Sequence, residues 1–532
     1  MTSEKPKIVI IGAGIGGLTA ASVLSRSAKV SVIERGEACG GKIREITIDN
    51  QPIDSGPTVF TLRSVFDDIF KASGAALDDY LELRKVECLS RNYWNCGGTL
   101  DLFSDAEETA GAIARFSSPA EAERYRAFVK DAERAWHTLY GPFMRRKAPN
   151  FFSLMAGAGP LALTRLDPYT SLWRTLEKRF TDKRLQQLFG RYATYCGSSP
   201  FEASATLMLI AHVERMGVFA PVGGMAALAK ALERRATENG AEFHYKSDVA
   251  AVEYKGGQLV SVRTSDGQQY AADAVLFNGD LGALQNQNTK HAKSIELAFS
   301  KQCNAVKPMK KRSQSALTWS FLGKASKASK TSNDRNPPAL SLHNVFFSDN
   351  YRAEFDDVFE RRRCPENPTV YLFAPDRAPH QTKKSINESI DNSMQVSGSD
   401  SDQTLNTERF FCLINAPAIG EERDFPAEEI EQCRMQAMAQ LERCGITLHM
   451  APEKTQVQTP NDFAKRFPAT NGALFGNPNH GWRTAFQRQG VKSPHQGLYF
   501  AGGSVHPGSG VPMAALSGLM AAQTITKDYA LT

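Results

Sequence analysis

The stretch KIVIIGAGIGG, Lys7 to Gly17, decides the architecture of this chain, together with the acid that follows it, Glu34. Ile8 to Ile11 is a short β-branched run, the composition of a fully buried strand in a parallel sheet. Gly12, Gly14 and Gly17 then form G-x-G-x-x-G where that strand must turn sharply into a helix. The first glycine permits the tight turn, the second lets a pyrophosphate approach the backbone, and the third lets the helix pack close to the sheet. Leu18, Ala21, Leu24 and Ala28 recur at helical spacing, which predicts a helix with its N-terminus facing the phosphates. A second apolar run, Val30 to Ile33, ends in Glu34, about 20 residues past the glycines, where a carboxylate can accept ribose hydroxyls. Three glycines alone also mark ordinary turns. Strand, glycines, helix, strand and acid in this order predict a dinucleotide site on a Rossmann-like α/β fold.

With 532 residues the chain is long enough for two domains sharing a large core. A net charge of +6 is small for that length, and no basic block carries interleaved aromatics, so nucleic acid is not expected as a partner. The nine cysteines show neither C-x-x-C pairs nor metal-ligand spacing with histidine. Reduced thiols, a cytoplasmic setting and no metal are the expectation. No run of about 18 apolar residues occurs, which argues against a spanning helix and leaves attachment to a membrane surface open.

Further along, Ile46 to Asp54 reads as extended and Asp54-Ser55-Gly56-Pro57-Thr58 as a turn suited to covering a flat cofactor. Residues 105–215 are helical in pattern. Within them Tyr140 to Phe180 mixes Phe143, Phe151, Phe152, Leu154, Met155, Leu161, Leu163, Tyr169, Leu172 and Trp173 with Arg145, Arg146, Lys147, Arg165 and Arg174. Apolar groups flanked by cations suit an interfacial segment; a helix pair with a solvated basic face is the alternative. In Phe189 to Ser198, Tyr192, Tyr195 and Cys196 either line an apolar cavity or pack. Pro221 to Met225 opens a helix reaching about Asn239. From Glu242 to Phe277 strands are punctuated by hairpin turns at Lys255-Gly256-Gly257 and Ser265-Asp266-Gly267. Asn286 to Pro338 and His380 to Thr407 read as polar insertions, the first around an apolar piece, Ala316 to Leu322. Thr369 to Phe373 and Phe410 to Pro417 read as buried strands, and Pro426 to Cys444 as an amphipathic helix. Near the C-terminus, Leu498 to Ala501 is a strand ending in Gly502-Gly503, and a helix starts near Val511-Pro512-Met513. That helix N-terminus would stabilise negative charge on a reduced ring.

Arg35 and the loop Gly40-Gly41-Lys42 complete E-R-x(4)-G-G-K, which resembles the second phosphate and ribityl contact of the FAD-dependent amine oxidase and carotenoid desaturase superfamily. The resemblance implies FAD rather than NAD, and a Val249 backbone set against adenine. Asp54 to Thr61, Phe189 to Pro200 and Val505 to Gly518 look most like bacterial carotenoid desaturases of the phytoene desaturase family, and within it the 1-hydroxycarotenoid 3,4-desaturases, also called methoxyneurosporene dehydrogenases. Many flavin relatives carry an acid after the strand glycines; here Ser504 follows Gly503, which implies reliance on backbone N–H groups.

The resemblance implies a discontinuous FAD-binding domain (1–115, 216–283 and 486–532), a helical substrate and membrane-docking region (116–215) and an interleaved α+β substrate domain (284–485). It implies loss of two hydrogens from a saturated C–C bond beside a polyene, as hydride and proton. The polyene delocalises the allylic charge, so no strong base is required, and His506 is read as a structural imidazole bonded to backbone. The implied partners are a hydroxylated carotenoid, a membrane surface, and oxygen or a quinone as electron acceptor. Phytoene-type desaturase, carotenoid isomerase and ketolase are rival enzymes on this scaffold, and a flavin-free prenyl-lipid carrier is the rival that is not an enzyme.

Overall fold

The computed structural model describes residues 4–147, 149–159, 163, 166–285, 296–298, 311–327, 339–378 and 407–531. A five-stranded sheet forms the first layer, in the order Glu242–His244, Lys29–Ile33, Lys7–Ile11, Ala274–Phe277, Leu498–Phe500. Every pair in it is parallel, with Ile10 between Val32 and Leu276. Ile8 to Ile11 are buried, as a central parallel strand covered on both faces requires. Ile15–Leu24 packs on this sheet against Met225–Glu238 and the C-terminal helix Val511–Asp528. The last crossing is close: a Cβ on Gly518 would lie 2.1 Å from the Gly16 carbonyl oxygen. Gly17 gives the close approach of helix to sheet expected of it, since a Cβ there would lie 2.2 Å from the Gly12 carbonyl oxygen and 2.9 Å from Asn278 Nδ2, both just past strand ends.

A seven-stranded mixed sheet forms the second layer, in the order Ile446–Gln458, Ser315–Lys327, Glu408–Ala416, Val370–Phe373, His343–Phe347, Cys88–Trp94, Thr99–Phe103. Ser315–Lys327, expected to lie inside a polar insertion, is an interior strand of it. Its buried Ser315, Thr318 and Ser320 break the apolar run that would have announced it. The strands of residues 88–103, read with the dinucleotide-binding segment, pair here with His343–Phe347. The expected strand near Phe410, the helix Ala427–Arg443 and both glycine hairpins are present. Ile46 to Asp54 is not one extended piece but a hairpin, Glu45–Ile48 with Gln51–Asp54, turning through Asp49 and Asn50 in the left-handed region. The insertion expected at 380–406 lies outside the described residues.

Helices of residues 106–215 close the space between the layers. Pro119–Leu139 is the longest, capped by the Ser118 hydroxyl. Among the described residues no helix is long and apolar enough to cross a membrane.

Candidate active site

Between the two layers lies a cavity of about 950 Å³, at the upper end of the range for small-molecule sites. Fifteen of the sixteen residues singled out from the sequence line it: Gly12, Gly14, Glu34, Arg35, Gly41, Lys42, Gly56, Pro57, Thr58, Val249, Gly502, Gly503, Val511, Pro512 and Met513; Gly17 does not.

At one end the chain is shaped for a diphosphate. Gly12 has φ +98°, the turn only glycine adopts freely. Gly14 caps Ile15–Leu24 with no side-chain bond, and the first turn carries no acid, so the leading N–H groups of that helix are open toward the cavity. Gly41 presses on Gly14 (a Cβ there would lie 3.1 Å from Gly14 Cα), which joins the two glycine loops into one cradle. Glu34 ends its strand with its carboxylate accepting from the Ala13 and Gly36 N–H groups, each at 2.7 Å. The C-terminal helix starts uncapped as well, behind Gly510, with Pro512 in its first turn. Two helix N-termini thus face one cavity, an arrangement that fits a flavin dinucleotide with anionic groups at both places.

Several residues of this end were missed. Asn278, following Ala274–Phe277, donates from Nδ2 to the Gly12 carbonyl at 3.0 Å and fills the space behind Gly14. Asp280 supplies the acid that Ser504 lacks. It accepts from the Ser504 hydroxyl at 2.8 Å, Arg312 at 3.0 Å and the Gly282 N–H at 2.9 Å. Burial works against its charge, but Arg312, these bonds and Lys42 hold its pKa below the usual value. Lys42 donates to the Leu474 carbonyl at 2.6 Å and burial pushes it down to about 8. Arg488 holds the Asn477 carbonyl and the Asn479 side chain, each at 2.9 Å, beneath the Gly502-Gly503 loop. His506 is the structural imidazole expected: 1 % exposed, bonded to the Phe143 carbonyl at 3.0 Å and pushed down to about 4 by burial. Asp54 accepts from the Met225 N–H and so caps Met225–Glu238 beside the Gly56-Pro57 turn.

The rest of the wall is mainly apolar. The Tyr140–Phe180 stretch divides between interior and surface. Phe143, Leu154 and Leu172 are buried; Met155, Leu163 and Tyr169 line the cavity; Phe152 and Tyr169 are 80 % and 72 % exposed. Tyr169 meets Trp482 edge to face at 5.2 Å, and Arg483 lies over that indole. Arg145 is not a free surface cation: it pairs with Asp68 at 2.8 Å. Arg165 and Leu161 lie outside the described residues. Tyr195 and Cys196 line the cavity, and Tyr192 is packed behind them. Across from them, the Tyr371 hydroxyl bridges Thr58 Oγ1 at 2.6 Å and His343 Nδ1 at 2.7 Å. Glu133, His137 and His212 place three metal-type ligand atoms within 4.8 Å of one another, but none of them lines the cavity.

A parallel sheet with two open helix ends and a carboxylate at the end of its second strand, joined to an apolar chamber, is the build of a flavin-dependent oxidoreductase. The chain belongs to the flavin containing amine oxidoreductase family, whose profile matches residues 15–354 and 413–526, and within it to the bacterial carotenoid desaturases. It is 41% identical over 524 residues to a hydroxyneurosporene desaturase of Rubrivivax gelatinosus, covering 98% of this chain and 93% of that one. It is 37% identical to a hydroxyneurosporene desaturase of Cereibacter sphaeroides, over 99% of this chain and 98% of the other. A solved structure of putrescine oxidase with bound putrescine shares the fold at a TM-score of 0.59 and 14% identity, covering 99% of both chains. The cofactor is FAD, and the protein is an oxidoreductase acting on CH–CH groups.

Proposed function

We propose that this enzyme desaturates the 3,4 bond of a 1-hydroxycarotenoid, such as 1-hydroxyneurosporene, drawn from a membrane surface. The observation that carries the reading is the cavity itself, which runs from Gly56-Pro57-Thr58 to an aromatic rim at Tyr169 and Trp482. Apolar walls suit a long hydrocarbon, and the relatives named for hydroxyneurosporene support the hydroxylated class. FAD, when bound, supplies the two-electron oxidant that takes the hydride. The chain orients the polyene and excludes water, and the delocalised allylic charge lets the proton leave without a strong base. Phe152 and Tyr169 enter the acyl region while Arg146, Lys147 and Arg174 meet headgroups. Oxygen or a quinone would serve as the electron acceptor.

The test is incubation of liposome-reconstituted holoenzyme with 1-hydroxyneurosporene and with the same polyene lacking the hydroxyl. A red-shifted product spectrum from the hydroxylated compound, with one double bond added, is expected. Equal turnover of both, or an oxygenated or isomerised product, would replace this reading with one of the rival carotenoid reactions.

A further inference from the structure

One patch of the cavity wall carries charge that neither the FAD cradle nor the rim uses. Arg191 opens the short 3₁₀ turn Arg191–Cys196, and Glu214 lies near the end of Ile210–Arg215. The Tyr195 hydroxyl accepts from Arg191 Nη2 at 2.7 Å and donates to Glu214 at 2.9 Å, while Tyr192 donates to the other Glu214 oxygen, also at 2.9 Å. Both carboxylate oxygens are therefore engaged. The guanidinium is less fully met: it lies over the Tyr195 ring and feels the Glu214 charge, but among the described residues Tyr195 is its sole hydrogen-bond acceptor and its Nε is enclosed without one. A guanidinium has five N–H groups, and leaving them unmet beside an apolar chamber is unfavourable unless a ligand oxygen completes the set.

The occupants of the chamber decide which oxygen that is. The glycine loops and the two uncapped helix ends offer N–H groups to the anionic part of FAD. The remaining occupant is a hydrocarbon with, on the reading above, one hydroxyl. A hydroxyl accepts from Arg191 and donates to the phenol or carboxylate, so it satisfies both characters of the patch. Its location fits too. The Arg191 charge acts on Tyr371 and, with burial, helps push His343 down to about 3. Tyr371 in turn bonds Thr58, in the Gly56-Pro57 turn that the resemblance sets beside the flavin. With oxygen on C1 and oxidation at C3–C4, the hydroxyl must be held beside the flavin rather than at the far end of the chamber.

We propose that Arg191, Tyr195 and Glu214 form an oxygen-recognising subsite that grips the hydroxyl of a hydroxylated polyene and so sets which bond faces the flavin. This rests on the hydroxycarotenoid reading, and the test separates the two. Holoenzyme in liposomes is titrated with 1-hydroxyneurosporene and with the polyene lacking the hydroxyl, following the polyene spectrum for binding and product for kcat/KM. Wild type is expected to prefer the hydroxylated compound by about 10- to 100-fold, the range of one or two charge-assisted hydrogen bonds. Arg191→Gln should collapse that ratio toward one, and Tyr195→Phe should reduce it several-fold, each with its FAD complement retained. Tyr195→Phe removes a single hydroxyl and keeps the ring, so it carries the test if Arg191→Gln does not fold. Wild type without a preference overturns the hydroxycarotenoid reading. Wild-type preference kept in both flavin-loaded variants overturns the subsite alone. Loss of quinone reduction with the preference kept assigns Arg191 to the electron acceptor instead.

Discussion

Replacing Glu34 tests how the dinucleotide cradle is built. Its carboxylate takes the N–H of Ala13, between the first two glycines, and of Gly36, just past the strand, each at 2.7 Å. The side chain thus ties the second strand to the glycine loop, beside the role proposed for it as ribose acceptor. A hydrogen bond to a charged group contributes about 1.5–3 kcal/mol, and the half-exposed position of Glu34 puts each of the two toward the low end of that range. Glu34→Ala frees two loop N–H groups to water and removes the ribose acceptor. FAD affinity should fall by a factor of about 10 to 100, equivalent to roughly 1.5–3 kcal/mol, and the apoprotein should lose urea stability as well. Glu34→Gln keeps one acceptor oxygen and should fall between. The assay is FAD titration of deflavinated protein by fluorescence quenching, paired with urea unfolding of the apo form. An Ala variant that binds FAD within twofold of wild type and unfolds at the wild-type urea midpoint would refute this account of the loop.

Gly14→Val should purify without flavin, because even its Cβ would lie 2.9 Å from Asn278 Nδ2 and its branches would enter the phosphate space; a full flavin-to-protein absorbance ratio contradicts this. Phe152→Ser with Tyr169→Ser should lower co-sedimentation with anionic liposomes at any salt. Arg146→Gln with Lys147→Gln should lower it at low salt only, by about 1 kcal/mol per charge; wild-type binding by both pairs would move the docking surface elsewhere. His506 stays neutral in the fold down to about pH 4, whereas an unfolded histidine takes its proton near 6.5. The unfolded state therefore binds more protons in that window, and stability falls as pH drops through it, by up to roughly 3 kcal/mol from this group. Buried Asp54 and Glu354, pushed up to about 6 and about 7, act in the opposite sense. The readout is thus the stability difference between wild type and His506→Gln, which should shift by up to roughly 3 kcal/mol between pH 6.5 and 4; a difference that does not change with pH sinks the assignment.

The dinucleotide half was legible because its signals are local. A β-branched run, glycines within one turn and an acid one strand later all act through backbone geometry at short separation, and the structure brings fifteen of those residues to one cavity. Where local pattern misled, the reason is burial of polar side chains. Ser315, Thr318 and Ser320 are buried in an interior strand, so its apolar piece, Ala316 to Leu322, reads as part of a polar insertion. Asn278 and Asp280 follow a clear strand, but nothing in F-N-G-D says that one amide will fill the space behind Gly14 or that one carboxylate will replace the acid missing at Ser504. The mixed stretch Tyr140–Phe180 could not be assigned whole to core or to surface because it serves as both, with Phe143 inside and Phe152 outside.

The substrate half was illegible for a different reason. Thr58, Arg191, Tyr195, Glu214, His343 and Tyr371 come from two short helical segments, two strands of the second layer and the Gly56-Pro57 turn, and apart from Thr58 and Tyr195 each alone reads as ordinary core. Their meaning lies in sharing one wall, which only long-range pairing such as His343–Phe347 with Val370–Phe373 produces. Phosphate recognition uses main-chain N–H groups that any sequence can present, so it depends on the fold more than on particular side chains. Recognition of a lone oxygen on a hydrocarbon needs side chains in a dry chamber, where an unmet polar group is unfavourable and a met one discriminates strongly. Specificity can therefore change at Arg191 and its neighbours while the FAD cradle stays intact.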